Sequence, residues 1–321
     1  MSCLPSCRPR RLKTPAHVHS GVPMPAPLLP RNTNPQPPRV QLQPTSTGEA
    51  LARSRGLTDR DLSLIGYLDR HRVLTALQIT RLLFGSPHHA RHRLAALYHR
   101  GVLARFRREV WPGSQPWRYT LGHVGAAVHA AATDAPLPKP SAVTEKVLRL
   151  AHSPHTEHLL GVNEFFTVLA GHARTRPGCQ LRTWTPEAVT ADACGGIVRP
   201  DGYGEYSDPH GTIGFFYEHD TGTETLDTLT DKITRYAELA RSGIRRPVLF
   251  GLPSTARERN LHDAWARRWP TGPPVTVATT ATGDTAVATD PVWLPAGSHQ
   301  RRPLTRLTTS ARRHSPRREA A

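Results

Sequence analysis

Apolar residues change their spacing along residues 57–121, and each change predicts an element. Leu62, Ile65 and Leu68 recur at helical intervals behind Thr58, whose side chain suits a cap, and so predict a helix near Asp59 to Asp69. Thr75 predicts the cap of a short second helix with Ile79, Leu82 and Leu83 as its buried stripe. Phe84-Gly85-Ser86-Pro87 ends that helix, because Gly and Pro interrupt helical pairing. Pro87 fits the first turn of a third helix running to about His99, with Ala90, Leu94 and Leu97 inward. After Gly101, residues 102–106 and 117–121 alternate like strands on either side of Pro112-Gly113-Ser114-Gln115-Pro116.

Three helices followed by a hairpin is the order of a winged helix-turn-helix, with the third helix as recognition helix and the hairpin as wing. The outer face of that helix offers His88, His89, Arg91, His92 and Arg93, with Arg100 at its end. Arg105, Arg107, Arg108 and Arg118 lie on or beside the wing. A formal net charge of +17 over 321 residues makes duplex DNA the expected partner of these ten residues. Guanidinium groups neutralise phosphates and release counterions, and a helix of this size fits the major groove. The same residues could also be a solvated basic face or a protein-binding surface.

The second half predicts a mixed α/β domain. Dense apolar residues from Leu159 to Leu169 predict a helix with a wide buried face, in a segment that also holds His155, His158, Glu164, Phe165 and Phe166. Leu181, Thr183 and Trp184, then Ile213 to Tyr217, then Pro247 to Gly251 are β-prone, with a helix from about Thr225 between the last two. Thr271 to Thr289 suggests an edge hairpin around Gly283-Asp284. The organisation expected is a Pro-rich, basic, disordered arm over 1–56, a winged helix over 57–130, an Ala- and Pro-rich linker over 131–145, the α/β domain over 146–295 and a disordered Arg-rich tail over 296–321. The fold class is α+β.

Composition adds limits. Four cysteines, Cys3, Cys7, Cys179 and Cys194, are too few and too scattered for a disulfide scaffold and lack zinc-site spacing, which points to a reducing interior. No apolar run approaches the roughly 20 residues that span a bilayer, and the start lacks an apolar signal core, so a cytoplasmic protein without membrane contact is expected. Arg301, Arg302, Arg306, Arg312, Arg313, Arg317 and Arg318 give the tail a charge that suits a polyanion.

Candidate chemistry lies in Pro200-Asp201, in Glu218 at the end of the next strand, and in Asp220 two positions on. Carboxylates on neighbouring strand ends can share Mg²⁺, and residues two apart share a strand face. Such a metal activates water at a phosphodiester. The alternative is a turn at Pro200-Asp201-Gly202 with solvated or ion-paired acids, and His155 and His158, three apart, are either shared ligands or ordinary helix histidines.

This arrangement resembles the PD-(D/E)xK nuclease superfamily, which implies a restriction-endonuclease-like domain with Asp201 and Glu218 as metal-binding acids. The position expected for the lysine holds Asp220, Lys232 on the following helix would supply the amine, and Glu164 resembles the extra helical acid. Several segments together resemble the replication-relaxation family of actinobacterial plasmids and mobile elements. They are Arg72-Val73-Leu74-Thr75, Leu82-Leu83-Phe84, Arg93-Leu94 with Leu97, Gly113-Ser114-Gln115-Pro116, Tyr119-Thr120-Leu121 with Gly125, Arg199-Pro200-Asp201-Gly202 and Glu218 to Glu224. The resemblance implies a DNA-binding protein tied to plasmid replication or DNA relaxation, with replication proteins as candidate partners. It leaves two alternatives: a Mg²⁺-dependent nuclease or nickase using Asp201, Glu218, Asp220 and Lys232, and a winged-helix transcription regulator.

Overall fold

The computed structural model describes residues 37–110, 114–281 and 289–307. Arg8, Arg10, Arg11, Lys13, Cys3 and Cys7 of the N-terminal arm, Pro112-Gly113, Gly283-Asp284 and Arg312 to Arg318 of the tail lie outside the described residues.

The first part runs β1 (Arg39–Gln41), α1 (Thr47–Ser54), α2 (Asp59–His71), β2 (Leu74–Thr75), α3 (Ala76–Leu83), α4 (Pro87–His99), β3 (Leu103–Arg107), β4 (Arg118–Leu121) and α5 (His123–Ala132). Thr58 and Thr75 each form a capping box, with Asp61 and Gln78 returning the bond, and Ser86 caps α4 with Pro87 in its first turn. These local bonds explain why helix starts were readable. Arg72 closes α2 with φ 68°, a left-handed residue that turns the chain into β2. The four strands pair antiparallel in the order β1-β3-β4-β2.

Two expectations change here. The stretch 37–56, expected to lack structure, supplies β1, which pairs with β3, and α1, which packs on α5. The buried stripe of α2 is Leu64, Ile65 and Leu68, with Leu62 exposed. Asp61 occupies the inward position instead, because Arg93 of α4 neutralises it there.

The second part runs α6 (Pro140–His152), α7 (Thr156–Thr175), β5 (Gln180–Pro186), α8 (Glu187–Ala193), β6 (Gly202–Asp208), β7 (Gly211–His219), α9 (Leu226–Arg241), β8 (Val248–Gly251), α10 (Thr255–Arg268), β9 (Val277–Thr280) and β10 (Leu294–Pro295), then a 3₁₀ turn at Leu304–Arg306. α6 takes up residues 140–145 of the stretch expected as linker. The sheet order is β10-β9-β8-β7-β6-β5. β5, β6 and β7 are antiparallel neighbours, while β7, β8 and β9 are parallel and joined through α9 and α10. β9 is therefore an inner strand, parallel to β8 and antiparallel to β10, and the turn expected at Gly283-Asp284 lies outside the described residues.

Side chains alternate across this sheet. Phe215, Tyr217 and Leu249 join one core with Phe165 and Phe166 of α7, and Phe216, Val248 and Phe250 join the other with Leu229, Ile233 and Tyr236 of α9 and Leu261 and Trp265 of α10. Phe165 stacks on Tyr217 at 3.9 Å and Phe166 on Trp184 at 5.3 Å. Gly204 makes room for this, since a Cβ there would lie 2.5 Å from Phe215 and 2.8 Å from Phe166. The first of these cores is continuous with that of α2, α3 and α4. α7 makes the join: Gln78 of α3 donates to the Leu160 carbonyl at 2.9 Å, and Asn163 donates to the carbonyls of His71 and Val73 at 3.2 and 2.7 Å. Among the described residues no helix is long and apolar enough to cross a membrane. Cys179 and Cys194 are free thiols.

Candidate functional site

The register of β6 against β7 pairs Gly202 with Tyr217, so Asp201, one residue before β6, lies beside Glu218 at the carboxyl end of β7. Lys232 and Tyr236 stand four apart on α9 and therefore share a helix face. Tyr236 Oη donates to Glu218 Oε1 at 2.6 Å and Lys232 Nζ to Oε2 at 3.0 Å. Burial and the neighbouring Asp201 push the Glu218 carboxyl up to about 7, against the pull of Lys232 and Tyr236. Burial works against the Lys232 charge, but the Glu218 carboxylate overrides it and holds the ammonium above the ordinary lysine range.

Asp201 is met from two sides. His158 Nε2 lies 2.9 Å from Oδ1, and the His219 backbone N–H donates to Oδ2 at 2.7 Å. The bond to Asp201 raises the His158 imidazole despite burial, whereas burial and the adjacent His158 lower that of His219. The His219 ring lies against α7 at Gly161, where a Cβ would come within 2.0 Å of its Nε2. His155 is exposed at the start of α7, while His158 is bonded to Asp201.

The structure thus brings Asp201, Glu218 and Lys232 together with His158, which the sequence offered only as a possible ligand beside His155, and with His219 and Tyr236, which it did not assign. The four-residue spacing of Lys232 and Tyr236 was a readable sign; the meeting of α7 with β7 was not. Two expected acids are elsewhere. Asp220 is buried against Arg257 of α10, which donates to Oδ1 at 3.1 Å and also bonds Oδ2, while the Gly222 N–H caps it at 2.8 Å. It anchors the loop after β7. Glu164 bonds Gln78 and Arg81 of α3, joining the two parts of the chain.

A Mg²⁺ ion takes carboxylate oxygens with free lone pairs converging on one point. Both oxygens of Glu218 and both of Asp201 already accept hydrogen bonds from donors of the chain, and among the described residues no three His, Cys, Asp or Glu side chains group as a metal cage. A Mg²⁺ ion at Asp201 and Glu218 would share these oxygens with Lys232, Tyr236, His158 and the His219 N–H.

The basic residues divide in the same way. His88, His89, Arg91 and His92 are exposed on α4, His88 and His92 having ring centroids 4.5 Å apart. Arg93 is committed to Asp61, its Nε donating at 2.9 Å. Arg100 donates to the Arg53 and Arg55 carbonyls and fastens α1. Arg118 is buried and bonds Glu157 at 2.5 Å. Arg105 lies between the Tyr98 and Trp117 rings at 4.1 and 4.4 Å, and Arg107 lies over Trp117 at 4.4 Å. Arg108 is half-buried and makes no side-chain hydrogen bond or ion pair among the described residues. In the C-terminal segment, Arg301 pairs with buried Glu258 and so holds the fold.

A mixed α+β chain with two sheets and a buried carboxylate, lysine and tyrosine cluster at a strand end is the class defined so far. The replication-relaxation family model matches residues 65–252, more than half of the chain, and the chain belongs to that family. Membership associates it with plasmid or mobile-element replication or relaxation. No curated protein and no solved structure gives a significant match.

Proposed function

We propose that the chain binds duplex DNA through a winged helix-turn-helix formed by α2, α3, α4 and the β3–β4 hairpin, in plasmid or mobile-element replication in the cytoplasm. The observation that carries this reading is the outer face of α4. It presents His88, His89, Arg91 and His92 with no carboxylate anywhere in the helix, and Arg91 has no hydrogen-bond or ion-pair partner among the described residues. α3 is covered by α7, so α4 is the helix left to enter a groove. Arg108 beside the hairpin supplies a phosphate contact, and Arg105 and Arg107 hold its aromatic base. Replication proteins would meet the second part.

The test is anisotropy of a labelled duplex titrated with the full chain at several salt concentrations. Arg91→Ala with Arg108→Ala is expected to weaken binding about tenfold or more at low salt and to lower the salt slope by about 1 to 2. Unchanged affinity and slope would overturn the reading.

A nuclease-like layout of the second part is the second reading, favoured by Lys232 reaching Glu218 beside Asp201. Because the metal would have to compete with the chain's own donors at each of these oxygens, supercoiled plasmid is expected to stay supercoiled with Mg²⁺ or Mn²⁺. Metal-dependent nicking lost in Asp201→Ala, with duplex binding retained, would establish a nuclease instead.

A further inference from the structure

Between the end of α2 and the carboxyl end of β7 lies a cleft of about 870 Å³, within the range of small-molecule sites. Five carboxylates line it, and each has a basic partner: Glu157 has Arg118, Glu187 has Arg199, Asp201 has the His158 imidazole, Asp220 has Arg257, and Glu224 shares Lys232 with Glu218. Arg70 and Arg72 line the α2 side, are exposed, and have no ion-pair or hydrogen-bond partner among the described residues. Arg70 and Arg72, two residues apart, are therefore the cationic side chains of the cleft that no carboxylate of the described residues engages, which suits a phosphate.

Between them His71 is 2% exposed and lines the cleft, stacked on Trp184 at 3.5 Å. Its Nε2 has no hydrogen-bond partner. Buried polar atoms are ordinarily satisfied, so this nitrogen marks a place for a ligand atom. Burial lowers its pKa to about 3, which keeps the ring neutral and able to donate or accept one bond there. Leu150, Val162 and the edge of Trp184, whose faces carry His71 and Phe166, give the same cleft a narrow apolar wall.

We propose that this cleft binds a nucleoside phosphate, free or as the phosphorylated end of a DNA strand, with the phosphate between Arg70 and Arg72 and the base on the wall of Leu150, Val162 and Trp184. The site is separate from α4 and does not depend on duplex contact by that helix.

Calorimetric titration of the full chain with deoxyadenosine 5′-monophosphate, deoxyadenosine, and a six-nucleotide single strand with and without a 5′-phosphate tests it. The phosphorylated probes are expected to bind, the unphosphorylated ones to bind at least about tenfold more weakly. Arg70→Ala with Arg72→Ala is expected to abolish that preference while leaving the melting temperature unchanged, since both side chains are exposed. Binding of the mononucleotide as tightly as the strand identifies a free nucleotide as the ligand; binding of the phosphorylated strand alone identifies a strand end. Absence of binding by every probe, or a preference unchanged in the double variant, overturns the proposal. Arg91→Ala with Arg108→Ala leaves this preference intact, so failure of the duplex reading and failure of this one are told apart.

Discussion

Lys232→Met is expected to destabilise the fold by about 3 kcal/mol at pH 8, measured by urea unfolding, because it strands a buried carboxylate without its counter-charge. Glu218 is 1% exposed, and Lys232 and Tyr236 are its hydrogen-bond donors. Tyr236 alone cannot neutralise a charge. The sign with pH follows from the raised carboxyl. The folded pKa of Glu218 lies at about 7, above its unfolded value of 4.5, so the folded state binds the extra proton between those pH values. Protonated Glu218 needs no ammonium beside it. The deficit of Lys232→Met is therefore expected to shrink as pH falls from 8 through 7 toward 5. Glu218→Gln combined with Lys232→Met is expected to recover most of the loss at pH 8, since a neutral amide can still accept from Tyr236. A deficit that stays the same from pH 8 to 5, or that the double variant fails to reduce, would show that Lys232 acts by packing alone.

Arg93→Ala is expected to lose about 3 kcal/mol of stability and to weaken duplex binding only through the unfolded fraction. Arg93 sits on the candidate DNA helix, yet its guanidinium is bound to Asp61, which is 1% exposed and also closes the capping box of α2. The Arg93 bond and the Thr58 bonds hold Asp61 below the ordinary carboxylate range in spite of burial. Removing the arginine leaves that charge uncompensated in the core between α2 and α4. The measurement is thermal melting beside duplex titration well below the new midpoint. A variant as stable as the wild type but unable to bind would place Arg93 at the DNA after all. Arg91→Ala is the opposite case, because Arg91 is exposed and unpaired. It should leave stability within about 0.5 kcal/mol of the wild type.

The comparison of Arg91 with Arg93 shows where sequence reading stops. Both are arginines on one amphipathic helix, and periodicity separates inner from outer faces without saying which outer residues are occupied. Asp61 is 32 residues from Arg93, and Glu157 is 39 residues from Arg118, so nothing local announces either pair. The same holds for the strand-end acids. Asp201 and Glu218 were legible from strand ends and Lys232 through the nuclease resemblance, but Asp220 belongs to Arg257, 37 residues away.

By itself the sequence determined the starts of α2, α3 and α4, the strand-forming stretches at β3, β4 and β7, and the apolar face of α9 with Leu229, Ile233 and Tyr236, because caps and periodicity are set by neighbours within a turn or a strand. Only the tertiary structure decided that β1 and α1 join the first sheet and its helices, that α7 fastens α3 to the second part, and that His158, His219 and Tyr236 surround the acids. It also decided which cations remain free. Pairing of charges depends on which remote carboxylate the packing brings within a few ångströms, and that distance is fixed by the whole fold rather than by any segment of it.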